Sequence, residues 1–87
     1  MLKLLRYSLH AETVIRERGL DRAWVEATVR APDWRTDDPG GPDIERLYRS
    51  INALEGRVLR VVVVEASDEI RIISAFVDRG ARKPACP

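Results

Sequence analysis

The first third of the chain begins with a short apolar run, after which hydrophobic residues recur at helical spacing. Leu2–Tyr7 is apolar with two basic residues interspersed, which predicts a short strand. Ser8 suits a helix N-cap, and Leu9–Arg18 carries apolar residues on one helical face until Gly19 supplies a C-cap. Asp21 caps a second helix that is predicted to end near residue 31. The pattern therefore predicts a strand and two helices joined by a tight turn.

After residue 32 the pattern changes to short runs rich in β-branched residues. The predicted strands are Asp33–Thr36, Ile44–Ile51, Val58–Glu65 and Ile70–Phe76. Clusters of Asp, Gly, Pro and Ser separate them and predict turns. The fold class is therefore α+β, with a short N-terminal strand, two helices and then a C-terminal antiparallel sheet of three to four strands. We expect one domain over residues 1–78 and a polar tail over residues 79–87.

Alternation on both sides of the Ser67-Asp68 turn assigns each residue of the last two strands to one of the two sheet faces. The predicted core face carries Leu59, Val61, Val63, Ile70, Ile72 and Phe76. The predicted open face carries Arg60, Val62, Val64, Arg71, Ile73 and Ala75. Two guanidiniums on a rather apolar face suit an anion or a partner protein. The alternative is that both arginines only solubilise the face and shade its valines.

Composition narrows the class of protein. A chain of 87 residues with 45% hydrophobic and 33% charged residues has room for one modest core. A net charge of +1 excludes a strong global field for nucleic acid or membrane. The lone Cys86 excludes an intrachain disulfide, and no apolar run is long enough for a signal peptide or membrane span. We expect a cytoplasmic protein with no membrane, metal or other cofactor.

Several side chains could carry chemistry, each with a structural alternative. His10 is the only histidine and can act as a general acid or base, or simply satisfy a neighbouring carbonyl. Trp34 and Tyr48 lie in a mixed segment where a base or a partner protein can stack. The basic residues after the last strand either grip a phosphate backbone or form a solvated terminus. These tail residues are Arg79, Arg82 and Lys83.

Longer motifs carry a family resemblance. Ser8-Leu9-His10-Ala11, Glu17-Arg18-Gly19-Leu20 and the two closing strands resemble an uncharacterised bacterial family of small domains. That group is similar in layout to the RelE/ParE-like and BrnT-like toxins of toxin–antitoxin pairs. Arg71–Ala75 looks like the closing strand of the BrnT-like branch. This chain departs from the BrnT-like pattern by continuing with Phe76 and Val77 where basic residues are typical.

The resemblance implies a toxin-like module, either a metal-independent endoribonuclease or a translation inhibitor, acting on RNA or the ribosome and covered by a cognate antitoxin. In a ribonuclease, Arg60, Arg71 and Arg79 would stabilise charge on the scissile phosphate while His10 or Glu17 assists proton transfer. The substrate-binding residues would be Arg18, Trp34, Tyr48, Arg82 and Lys83. The alternative function is a non-enzymatic protein-interaction or dimerisation domain, in which case a homodimer is expected.

Overall fold

Side-chain caps begin both helices where the sequence predicts them. The computed structural model describes residues 3–83. Ser8 Oγ accepts a hydrogen bond from the Ala11 amide at 3.0 Å, and Asp21 accepts one from the Ala23 amide at 2.8 Å. Helix α1 spans Leu9–Glu17 and α2 spans Arg22–Arg30. Gly19 lies between them with a φ of 64°, a left-handed conformation that glycine adopts without a steric penalty.

Five strands form one sheet. They are β1 (Leu4–Tyr7), β2 (Trp34–Asp37), β3 (Ile44–Ile51), β4 (Arg57–Glu65) and β5 (Glu69–Val77), and a short 3₁₀ turn at Asn52–Leu54 joins β3 to β4. Their order across the sheet is β1-β5-β4-β3-β2. Strand β1 runs parallel to β5, and every other neighbouring pair is antiparallel.

The α+β class is confirmed, but the predicted sheet is wrong in two respects. The observed sheet has five strands instead of three to four, and it is mixed instead of antiparallel. It also does not lie wholly after the helices, because β1 precedes them and pairs with β5, the last strand of the described residues. No local turn connects β1 to β5, so the hydrophobic pattern carries no signal for this pairing.

Both helices pack on one face of the sheet, α1 over β5 and α2 over β3 and β4. The buried cluster between the layers contains Ala11, Ile15, Val25, Val29, Leu47, Ile51, Leu59, Val61, Val63, Ile72 and Ala75. The opposite face has no helix over it within residues 3–83. No helix in that range is long and apolar enough to cross a membrane, since α1 and α2 have nine residues each.

A β-bulge overturns part of the predicted face assignment. Val62 pairs with Ser74 and Val63 pairs with Ile72, so Ile73 is an extra residue in β5. The extra residue reverses the alternation beyond it. Ala75 is therefore fully buried in the core, and Phe76 is on the open face opposite Arg60, the reverse of the prediction.

Ser8 connects α1 to the bulge, and removing its hydroxyl is expected to destabilise the fold. Besides capping α1, Ser8 Oγ donates to the Ile73 carbonyl at 3.3 Å, and the Ser8 amide donates to the Ile72 carbonyl at 3.0 Å. We expect Ser8→Ala to lower the free energy of unfolding by about 1–2 kcal/mol in urea denaturation. Ser67→Ala, at an exposed serine in the β4–β5 turn, is the control and should change it by less than about 0.5 kcal/mol. Equal effects of the two substitutions would contradict the assigned role.

Candidate functional site

Arg60 is the central charged residue of the open sheet face. Its guanidinium lies 4.1 Å from the centre of the Phe76 ring, and its Nη1 is 3.3 Å from an Asp78 carboxylate oxygen. Only 20% of the side chain is exposed. Its Nε is buried and has no hydrogen-bond partner within residues 3–83. Arg60 is thus held by an aromatic ring and a carboxylate, with one donor left unused.

An aromatic pair flanks Arg60 on the side of the sheet formed by β2 and β3. Strand pairing places Trp34 opposite Tyr48 and Tyr48 opposite Arg60, all on the open face. The Trp34 and Tyr48 rings stack with centroids 4.8 Å apart and planes 5° apart. The sequence alone leaves open whether these rings bind a base or a partner protein. In the structure the two rings contact each other.

Opposing influences act on the Tyr48 hydroxyl. Burial is the largest influence and raises its pKa, but interactions with Thr36, Arg60 and Arg46 outweigh it, so the pKa of Tyr48 lies below its usual value. The Thr36 hydroxyl lies 3.2 Å from the Tyr48 hydroxyl. Thr36 and the two arginines therefore stabilise the ionised form of Tyr48 by more than burial destabilises it.

The segment after β5 folds back beside the aromatic pair and forms one wall of a cleft. The Asp78 amide donates to the Val58 carbonyl at 2.9 Å, and Asp78 Oδ1 accepts from the Gly80 amide at 3.0 Å. This turn brings the following residues over the open face. The cleft has a volume of about 380 Å³ and is lined by Trp34, Thr36, Tyr48, Asp78, Gly80, Ala81 and Arg82. Three predicted substrate-binding residues, Trp34, Tyr48 and Arg82, thus meet in one cleft.

Arg71 shares the open face but does not converge with Arg60. It pairs across the ladder with Val64, four residues along β4 from Arg60, which is about 13 Å at the usual strand rise. Its guanidinium lies 3.5 Å from Glu69, whose other oxygen is 3.3 Å from Arg6. Arg60 and Arg71 therefore occupy different parts of the face and are paired with different carboxylates.

The predicted proton-transfer residues lie in the helix layer. His10 and Glu17 are exposed on α1, which packs on the face of the sheet opposite Arg60. Neither forms a hydrogen bond or ion pair with Arg60, Arg71 or Arg79 within residues 3–83. The structure thus does not bring the five predicted catalytic residues together around one point.

The other basic residues are distributed around the cleft and the edge of the sheet. Arg18 donates to the Ala75 carbonyl at 2.8 Å and lies 5.7 Å from the Phe76 ring centre, so it reaches around the β5 edge toward Arg60. Arg79 lines a smaller neighbouring cleft of about 220 Å³ that Arg82 also lines. Lys83 is exposed. The end of the predicted polar tail, residues 84–87 with Cys86, lies outside the described residues.

Sequence reasoning missed Phe76 and Asp78, the two residues that hold Arg60. Alternation assigns Phe76 to the core because a strict period of two cannot reveal a bulge. Asp78 carries a usable signal, since Asp-x-Gly directly after a strand is a common turn motif. The ion pair between Arg46 and Asp38, at 2.9 Å, was also missed. It lowers the pKa of Asp38, chiefly through the hydrogen bond that Arg46 donates.

The rest of the open face is apolar. Ile44, Val62, Val64 and Ile73 are half-buried there, in the stretch between Arg60 and Arg71. We call these four residues the apolar stripe. Within residues 3–83, no three His, Cys, Asp or Glu side chains are grouped closely enough to hold a metal ion. The face thus combines aromatic rings, guanidiniums and an apolar stripe.

Comparison with protein families gives a match to one family over residues 7–77, under the description "Domain of unknown function (DUF4258)". That range includes every helix and nearly every strand residue, together with Trp34, Tyr48, Arg60 and Phe76. A search of curated proteins found no match.

Proposed function

This chain belongs to the DUF4258 family of domains of unknown function, and we propose that within this family it is a toxin-like module whose open sheet face binds RNA. Membership of an uncharacterised family is confirmed. The finer likeness to RelE/ParE-like and BrnT-like toxins remains a prediction and is part of this proposal. So is a cytoplasmic location, where RNA and ribosomes are available.

The observation that carries the proposal is the arrangement around Arg60. A guanidinium is fixed beside a pair of stacked rings, and the cleft next to them is lined by Arg82. Aromatic faces bind unstacked bases with little sequence preference, while guanidiniums contact phosphates. Single-stranded RNA supplies both the flat bases and the anions that this arrangement suits.

Binding, followed by obstruction of translation, suits the geometry better than RNA hydrolysis. Metal-independent cleavage needs a proton-transfer group within hydrogen-bond reach of the reacting oxygen. His10 and Glu17 lie in the helix layer, across the sheet from Arg60. We therefore propose a translation inhibitor, with Arg60, Trp34 and Arg82 as its RNA-binding residues. Tyr48 is only 6% exposed, so its role is to support the stacked Trp34 ring.

The proposed antitoxin would cover the apolar stripe. The half-buried side chains of Val62, Val64 and Ile73 remain partly in contact with water on a face that has no covering layer within residues 3–83. A partner that packs on these side chains would also obstruct Arg60, which explains how one protein could block RNA binding. The same stripe supports the second candidate, a non-enzymatic interaction domain that forms a homodimer through this face.

Charge reversal at the cleft is expected to weaken RNA binding. Arg82→Glu should lower the affinity for a fluorescent single-stranded RNA by about tenfold, because one phosphate contact becomes a repulsion. The plot of log affinity against log salt concentration should become less steep, its slope decreasing in magnitude by about one. Fluorescence anisotropy at several salt concentrations measures both quantities.

Arg16→Glu is the matched control, because Arg16 is an exposed arginine on α1 in the helix layer and the charge change is identical. Its affinity should stay within about twofold of the wild type. If both variants lose the same affinity, binding follows net charge only, and the open face is not the RNA site. If folded wild-type protein binds no RNA, the proposal fails and the interaction-domain candidate replaces it.

A further inference from the structure

A second cavity lies on the helix side of the sheet, away from the proposed RNA face. A nine-residue helix is about 14 Å long, whereas a nine-residue strand is about 30 Å long, so α1 and α2 leave part of the helix-side face uncovered. The uncovered part lies beyond the C-terminal turn of α2 and forms a cavity of about 300 Å³. It is lined by Lys3, Val29, Arg30, Arg35, Leu47, Val63, Glu65 and Ile70.

The cavity has an apolar floor and a basic rim. Val29, Leu47, Val63 and Ile70 line the floor, where Ile70 is half-buried and the other three are at most 5% exposed. The rim has three cationic side chains and one carboxylate. This combination is typical of small-ligand sites, in which hydrophobic walls surround a few polar groups that orient the ligand.

Arg30 is the rim cation whose guanidinium donors have no partner among residues 3–83. Lys3 Nζ is 2.6 Å from Glu65 and donates to the Ala66 carbonyl at 2.7 Å, so Lys3 and Glu65 satisfy each other. Arg35 lies 3.6 Å from Glu45. Within residues 3–83, the Arg30 guanidinium makes neither an ion pair nor a hydrogen bond. The positive charge of the rim thus exceeds its negative charge, and Arg30 is the rim cation that has no carboxylate partner among residues 3–83.

We infer that this cavity binds a small aliphatic monocarboxylate. The carboxylate accepts hydrogen bonds from Arg30, with Arg35 as the neighbouring cation, and the alkyl chain lies on Ile70, the half-buried apolar residue of the floor. A rim with one guanidinium that has no partner among residues 3–83 selects one anionic group instead of a polyanion. The small cavity selects a chain of a few carbons and predicts a dissociation constant on the order of millimolar.

A homologous series of probes tests the inference. Butanoate, hexanoate and octanoate are titrated into the ¹⁵N-labelled full chain, and amide shifts are followed by NMR. The affinity should rise from butanoate to hexanoate by up to about fourfold for each methylene that becomes buried. The shifts should concentrate at Val29, Leu47, Val63 and Ile70. Hexanol and inorganic phosphate, which present only the tail or only the charge, should bind at least about tenfold more weakly than hexanoate.

Removing the charge of Arg30 tests its role directly. Arg30→Gln should weaken hexanoate binding by about tenfold, with no change for hexanol. Arg16→Gln removes the same charge from an exposed site on α1 and should leave hexanoate binding unchanged. The inference is overturned if hexanol binds as tightly as hexanoate, if butanoate and octanoate bind equally, or if the shifts lie outside the cavity. These three outcomes are measured on the wild-type protein, so the test holds even if Arg30→Gln fails to fold.

Discussion

Replacing Arg60 with glutamine is expected to abolish the growth arrest that we propose for the wild-type chain when it is expressed without a partner. Among residues 3–83, Arg60 is the one arginine that contacts both Phe76 and Asp78, and it pairs across the sheet with Tyr48. Glutamine keeps a polar group but loses the charge, the fork of donors and the stacking surface. We expect at least about a tenfold loss in RNA affinity, measured by anisotropy, and a normal growth rate after induction.

Two further variants separate charge from geometry. Arg60→Lys keeps the charge but cannot stack flat on Phe76 or donate in a planar fork, so its RNA affinity should lie between those of the wild type and Arg60→Gln. Arg16→Glu, in the helix layer, should arrest growth as the wild type does. Circular dichroism of each purified variant checks that it is folded.

The state of cellular RNA during the arrest distinguishes inhibition from hydrolysis. A translation inhibitor stops incorporation of labelled amino acids while total RNA stays intact. RNA fragments that form with the wild type and not with Arg60→Gln would contradict translation inhibition by binding alone and support the ribonuclease prediction. Growth that is unaffected by a folded wild-type protein would refute the toxin-like proposal altogether.

Truncating Leu59 is expected to have the largest effect on stability. Leu59 is fully buried in β4, in the cluster between the sheet and the helices. Leu59→Ala removes buried apolar surface and leaves a cavity, at a cost of about 3 kcal/mol. A domain of this size has a total stability of roughly 4–13 kcal/mol, so the variant should lose a large part of it. Urea denaturation followed by circular dichroism measures the change.

Val62→Ala is the matched control, because Val62 is in the same strand but faces the open side, where it is only half-buried. Its cost should be about 1 kcal/mol or less. If Val62→Ala proves as costly as Leu59→Ala, the open face is packed against something in solution. A homodimer through the apolar stripe would then be the first explanation, and sedimentation at several concentrations would detect it.

The ion pairs of the open face affect the anion binding that we propose for it. Arg46, Arg60 and Arg71 each have a carboxylate partner, at 2.9, 3.3 and 3.5 Å respectively. Such pairs near the surface contribute little to stability, so an incoming phosphate can displace a carboxylate with only a small penalty. They also keep the net charge of the face low in the absence of ligand. The proposed anion binding is therefore compatible with a formal charge of only +1 for the whole protein.

The local structure of this protein follows from its amino-acid sequence alone. Ser8 and Asp21 begin the two helices, and Gly19 lies in the turn between them, because capping and left-handed conformations depend on residues close in the chain. Period-two alternation along β4 places Arg60 on the open face for the same reason. Membership of an uncharacterised family, which the sequence predicts, is confirmed by the family match over residues 7–77.

Which distant residues meet depends on the three-dimensional fold. Strand β1 pairs with β5, and Asp78 contacts Arg60, although in each case the two partners are distant in the chain. Hydrophobic alternation predicts neither contact, and it does not reveal the bulge at Ile73. One inserted residue reverses every later side chain in a strand, so the bulge places Phe76 on the open face instead of in the predicted core. The cleft beside Arg60 forms because the segment after β5 folds back, and the cavity beside Arg30 forms because helices are shorter than strands of equal residue number. Hydrophobic periodicity describes only one element at a time, so it cannot express either feature.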